Sequence, residues 1–283
     1  MKKEILEFYK KQGERTKVKP LTFDKLPNDI EKITSIIRGL GVHPVDLDKI
    51  GFIHTKERIA DRYLKTTQEV VDKIKIFDSS CLTEKRELKD KIVITCKHFA
   101  MFLCSILKEQ NIPTRCRCGF ATYFSNGWFE DHWIVEYWNG QEWVRVDAQM
   151  NKLKTSKKQL EHINFNNIPK DIFFPAGVLW QLFRRDLISG DFCGYSHEKG
   201  ENGSWYIRGN MLRDFYGLNK IEYSYQEINK LMDRNYNPTE EELMLLDEIA
   251  DLTINVDDKF NQILNQTVLK KLKSAVAKKK KDN

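Results

Sequence analysis

Residues 132–138 read HWIVEYW, and after Asn139-Gly140 the chain continues QEWVRVDA over 141–148. Both runs are rich in aromatic and β-branched residues, the composition of strands. Asn-Gly between two such runs is among the strongest short-range hairpin signals, and it predicts a two-residue loop. A chain with this stretch must place an antiparallel pair here. With Trp138 facing Gln141, counting back sets His132 directly opposite Asp147, with Cβ atoms about 4.5–5.5 Å apart. A carboxylate at that range holds one imidazole nitrogen and leaves the other free, which orients a base toward a nucleophile. The alternative is a weak polar contact on a hairpin surface.

The segment VITCKHFAMFLCSILKEQ, residues 93–110, predicts a helix from Cys96 to Gln110 with Thr95 as its cap. A break at Asn111-Ile112-Pro113 leads into the strand-like TRCRCGFATYF and a turn at Ser125-Asn126-Gly127. A helix followed by an antiparallel meander is an α+β pattern. Residues 1–85 read as mostly helical: Asn28 is the expected cap of NDIEKITSIIRGL, and KERIADRYLKTTQEVVDKIKIF continues the helical spacing. Further on, DIFFPAGVLWQLFRRDLISG reads as a helix, and GSWYIRGNMLRDFYGLNKIE as a short strand or loop plus a helix. NPTEEELMLLDEIADLTI reads as a helix with Asn237 as cap, Pro238 at the first position and Glu240 closing a capping box. No repeat or Pro/Gly-rich linker divides the chain, which reads as one domain with helical extensions.

Cys96 stands in the first turn of its helix, where the dipole and unpaired backbone N–H groups favour a thiolate. The same N–H groups suit the oxyanion of an acyl-transfer intermediate. Against this stands the common fate of free cysteine as a small buried hydrophobe. Cys104 lies mid-helix and Cys81 in a polar loop; Cys116 and Cys118 share one strand face as core residues. MKKEILEFYKK contains no apolar leader and IFFPAGVLW is too short to span a bilayer, so a cytoplasmic protein with free thiols and no membrane association is expected. The net charge is +6, but Lys270–Asn283 holds seven lysines and one aspartate, so the rest of the chain is neutral. That tail reads as a solvated helix end rather than a nucleic-acid surface. Neither metal-ligand spacing nor a phosphate or dinucleotide loop is present, and no cofactor is expected.

The run CKHFAMFLCSILKEQNIPTRCRCGFATYF, followed by DHWIVEYWNGQEWVRVDAQ, resembles the papain-like core of the transglutaminase-like superfamily. The likeness covers about 55 residues and rests on a cysteine opening a helix, a strand-borne histidine and a strand ending in VDA. It implies a helix bearing the nucleophile packed on an antiparallel sheet, with Cys96 as nucleophile, His132 as its base and Asp147 as the orienting carboxylate. The segment from FFPAGVLWQLFRRDLISG through RGNMLRDFYGLNKIE is similar to the extension following this core in a bacterial subgroup. Family members often carry Gly before the cysteine and Pro after the aspartate, where this chain has Thr95 and Ala148.

On this reading the chain divides into a helical extension at 1–85, a catalytic core at 86–150, a continuation at 151–235, and a C-terminal helix with basic tail at 236–283. The expected chemistry is cysteine-dependent acyl transfer or hydrolysis of an amide through a thioester, on a protein or peptide. Water or an amine can accept the acyl group, and a non-catalytic binding module with the same fold is the alternative. Gln149, Trp133 and Trp128 are the candidates for a second oxyanion donor, with packing or surface roles as the competing assignment. Tyr123, Phe124, Trp128 and Phe129 read as core or as the lining of a peptide cleft. His98 is too close along the helix to serve Cys96 as a base, and it joins His43, His54, His162 and His197 in structural or surface roles. The zinc clip of peptide N-glycanases and an Asp-rich calcium loop are both missing from the sequence.

Overall fold

A computed structural model describes residues 1–51, 55–151 and 162–277. His54 and the tail residues 278–283 lie outside the described residues. The fold is α+β and forms two compact units. The first comprises Lys2–Cys116 and Trp133–Pro169, the second Met1, Arg117–His132 and Lys170–Asn283.

The first unit contains α1 (Lys3–Lys10), α2 (Ile30–Leu40), β1 (Gly41–Val42), α3 (Lys56–Ile59), α4 (Thr67–Phe77), β2 (Ile92–Val93) and α5 (Cys96–Glu109). It then takes in the start of β3 (Thr114–Ala121), the end of β4 (Phe129–Trp138) and β5 (Trp143–Val146). Of the 14 residues of α5, 13 are buried, as expected for a helix that is apolar nearly all round. α2 and α4 pack on it, and Phe102 meets Phe23 with ring centroids 5.7 Å apart. Each such buried aromatic contributes roughly 1.5–3 kcal/mol of transfer free energy. The polar Ser105 in its C-terminal half is engaged twice: its Oγ donates to Thr16 O, and its carbonyl accepts from Gln12 Nε2 at 2.9 Å.

The hairpin is present, with a register different from that expected. Trp138 pairs with Trp143 and Val135 with Val146, so four residues, 139–142, form the loop. Asn139 explains the difference, because its Oδ1 accepts from the backbone N–H groups of Gln141 (2.8 Å) and Glu142 (2.9 Å). An Asn side chain in this role mimics a backbone turn and competes with the two-residue form. Gly140 takes φ of +102°, a region that disfavours other residues. Carried one residue past the ladder, the observed register places Ile134, not His132, opposite Asp147.

The second unit holds the rest of β3 and β4, then β6 (Phe173–Pro175), α6 (Ala176–Arg184), β7 (Cys193–Ser196), β8 (Glu201–Asn202), α7 (Ser204–Leu218), α8 (Glu240–Ile254), α9 (Phe260–Leu264) and α10 (Thr267–Ala277). Its strand order is β6-β3-β4-β7-β8. β6 runs antiparallel to β3 and β7 parallel to β4, so the sheet is mixed. The expected helix over 171–190 is shorter, running only over Ala176–Arg184, with Phe173–Pro175 forming a strand before it. Gly119 permits that pairing, since a Cβ there would lie 2.1 Å from Phe174 O.

α6, α7 and α8 pack against one another. Arg117 of β3 reaches into this layer, its Nε 3.0 Å and Nη2 2.8 Å from the Asp214 carboxylate oxygens, with Nη2 also donating to Thr253 O at 2.7 Å. In α10, Lys271 pairs with Glu248 of α8 at 2.9 Å.

Three helix boundaries differ from expectation. α2 is capped by Asp29, whose Oδ1 accepts from Lys32 N at 2.8 Å, and not by Asn28. α8 is capped by Thr239 with Glu242 at the third position, two residues beyond the expected Asn237 and Glu240. The helical run over 56–77 is broken before Thr66, whose side chain forms a capping box with Glu69 at the start of α4. In each case two or more cap-forming residues stand within three positions of one another, and the one that meets the N3 amide wins.

Candidate active site

Cys96 is the first residue of α5, and it is 6% exposed. The turn before it is held by His98. His98 Nε2 lies 2.7 Å from Leu64 O, and because a carbonyl can only accept, Nε2 carries the hydrogen. Nδ1 is then the acceptor, 2.9 Å from the Thr95 hydroxyl and 3.3 Å from Thr95 N. The imidazole thereby fills the place that Glu or Gln takes in a capping box. Other groups fasten the same stretch: Arg58 donates to Lys89 O (2.9 Å) and Lys91 O, and the buried Asp61 carboxylate accepts from Val93 N.

Burial drives the His98 pKa down to about 3, with Lys97 adding to the effect. Its folded pKa lies below the unfolded value near 6.5, so the unfolded chain binds the extra proton and stability falls as pH drops from about 6.5 toward about 3. Between pH 6.5 and pH 4.5 this group should cost roughly 2 kcal/mol. His98→Gln keeps an acceptor but does not titrate. Urea unfolding at the two pH values should show that much less acid loss in the variant, and an equal loss in both proteins would contradict the assignment.

Asp147 follows β5 and is fully buried in the first unit. Its Oδ1 accepts from Gln149 N (2.9 Å) and Met150 N (3.1 Å), and its own N–H donates to Phe165 O at 2.8 Å. Arg38 of α2 donates from Nη1 to Ala148 O (3.4 Å) and Met150 O (3.2 Å), and its positive charge interacts with Asp147.

His132 belongs to the second unit, on β4, and is 2% exposed. Phe124 and Tyr123 approach the imidazole edge-on, with centroids at 4.9 and 6.0 Å. The preceding residue, Asp131, ties the strand to the helical layer: its carboxylate accepts from Asn210 Nδ2 (2.7 Å), Tyr225 OH (2.9 Å) and Tyr206 OH (3.0 Å). Burial raises the Asp131 pKa, opposed by these donors and by Arg213. Thus Cys96 and Asp147 stand in the first unit and His132 in the second.

All six cysteines are free thiols. Cys104, Cys116, Cys118 and Cys193 are completely buried, and burial pushes Cys193 up to about 12. Cys81 is half-buried, and hydrogen bonds from Thr83 lower its pKa, a feature that the reading of its loop as merely polar missed.

Among the suggested oxyanion donors, Trp133 has a buried indole N–H with no hydrogen-bond partner among the described residues. Alternation along β4 nevertheless sends it to the face opposite Ile134, the residue at Asp147's register position. The unpartnered atom of Gln149 is its carbonyl oxygen, which cannot donate. Trp128 is half-buried beside His197, with centroids 6.4 Å apart. Tyr123 is core, whereas Phe124, Trp128 and Phe129 keep part of their surface exposed. Arg38 went unnoticed in the sequence because nothing local links it to a turn 110 residues away.

Among the described residues no helix is long and apolar enough to cross a membrane. The family model of the transglutaminase-like superfamily matches residues 85–148, a span that contains Cys96, His132 and Asp147. No curated protein and no solved structure matches the chain.

Proposed function

Taking residues 85–148 as transglutaminase-like, we propose that the protein is a cysteine-dependent acyltransferase or hydrolase acting on an amide of a protein or peptide. The observation that carries this is the position of Cys96 as the first residue of α5, where the positive end of the helix dipole suits a thiolate and a developing oxyanion. The Cys96 thiolate attacks the amide carbonyl. The His132 imidazolium gives its proton to the leaving amine, and the carbon–nitrogen bond breaks to leave a thioester. Water or a second amine then takes the acyl group and regenerates the thiol. Asp147 orients the imidazole, and the two backbone N–H groups on its Oδ1 support this role by holding the carboxylate in one rotamer. In this reading residues 86–150 carry the chemistry, while 1–85, 151–235 and 236–283 extend it. Six free thiols support a reducing, cytoplasmic setting.

A second reading, a binding module that keeps the fold without catalysis, is favoured by the burial of Cys96. The two separate on the rate of iodoacetamide alkylation at Cys96, read by peptide mass spectrometry in wild type and in His132→Gln. In the enzyme Cys96 should react faster than the other thiols and slow about tenfold or more when the imidazole is removed. Sluggish alkylation that is the same in both proteins would support the binding module.

A further inference from the structure

We infer that Arg38, outside the family-matched segment, is a positioning residue for Asp147 and so sets the reactivity of Cys96; this rests on the catalytic reading above. The turn at 147–150 is held from two sides. Its N–H groups at Gln149 and Met150 point inward to Asp147 Oδ1, at 2.9 and 3.1 Å. Its carbonyls at Ala148 and Met150 point outward to Arg38 Nη1, at 3.4 and 3.2 Å. Ala148 O lies in the same peptide plane as the Gln149 N–H, so gripping it fixes that plane and with it the carboxylate rotamer, while the bond to Met150 O anchors the far end of the turn. Arg38 also supplies a positive charge that acts on Asp147, with Glu31 acting on Arg38 in turn. Lys91 Nζ donates to the Arg38 carbonyl at 3.0 Å and anchors this end of α2.

Ala148 has no ring to fix its φ. Arg38 supplies from α2 the rigidity that this turn lacks locally.

The test uses the full-length protein and the rate of iodoacetamide alkylation at Cys96 from pH 5 to pH 9. Wild type is compared with Arg38→Lys, Arg38→Met and Asp147→Asn, each checked for a cooperative thermal transition. Arg38→Met should fold and react about tenfold more slowly at pH 6, approaching Asp147→Asn, with its acid limb moved to higher pH. Arg38→Lys, which keeps a charge and a donor, should recover to within about threefold of wild type. If Arg38→Met does not fold, Arg38→Gln, with one donor and no charge, is read against the same outcomes. A folded Arg38→Met or Arg38→Gln protein that matches wild type at every pH, while Asp147→Asn falls, overturns the role of Arg38 alone. Wild-type Cys96 behaving as an ordinary thiol overturns the catalytic reading and this inference with it.

Discussion

His132→Ala should fold as wild type does and lose about two to four orders of magnitude in the rate at which an amide substrate acylates Cys96 near neutral pH, the usual range for removing a general acid–base group. The side chain is buried among Phe124 and Tyr123, so truncation also removes ring packing. That packing loss costs stability of about 1–3 kcal/mol without touching the chemical step. His132→Gln, which fills much of the same volume, separates the two effects. Activity should stay lost in the glutamine variant while stability returns. Activity within tenfold of wild type in either folded variant would remove His132 from the mechanism.

The second large effect is on stability. Asp214 is fully buried and receives Arg117 Nε, Arg117 Nη2 and the Cys118 backbone N–H, the last at 2.8 Å. Asp214→Ala leaves a guanidinium that is only 3% exposed facing a vacancy, together with an unsatisfied strand amide. Breaking a buried pair by removing one partner costs about 3–5 kcal/mol. Replacing both by apolar residues of similar volume, as in Arg117→Met with Asp214→Leu, is often neutral. The double variant should therefore be more stable than the single one in urea unfolding. A loss under about 1 kcal/mol for Asp214→Ala would show that the pair does not fasten β3 to α7 as its geometry implies.

The elements of the fold were mostly legible, and their edges were not. α5, β3 and the hairpin strands announce themselves because one long apolar stretch and two aromatic-rich runs leave little choice. The hairpin register was not legible, since Asn-Gly is compatible with a two-residue turn and also with the side-chain-closed loop that Asn139 builds. The β6 strand was hidden inside an apolar run that continues into α6; the close approach of Phe174 that the bare Gly119 on β3 allows joins residues distant in sequence.

Within the candidate site, Cys96 at a helix start was readable from local pattern. The supports of that site were not: His98 against Leu64, Arg38 against the Asp147 turn and Asp131 against Tyr206, Asn210 and Tyr225 join residues distant in sequence. Such contacts have no periodicity to betray them. His98 could have been suspected, as a residue three positions after a threonine cap that can accept as Glu or Gln does.

The central claim is that Cys96, and no other thiol, is the nucleophile. Cys81 is its natural competitor, being half-buried with a lowered pKa. The direct measurement is to treat the full-length protein with a short peptide bearing a thiol-directed electrophile in place of its scissile amide, and to locate the adduct among the six cysteines by mass spectrometry. The expected result is a single adduct at Cys96, absent from Cys96→Ala and unaffected by Cys81→Ser. An adduct that forms at Cys81 and leaves Cys96 unmodified would contradict the claim.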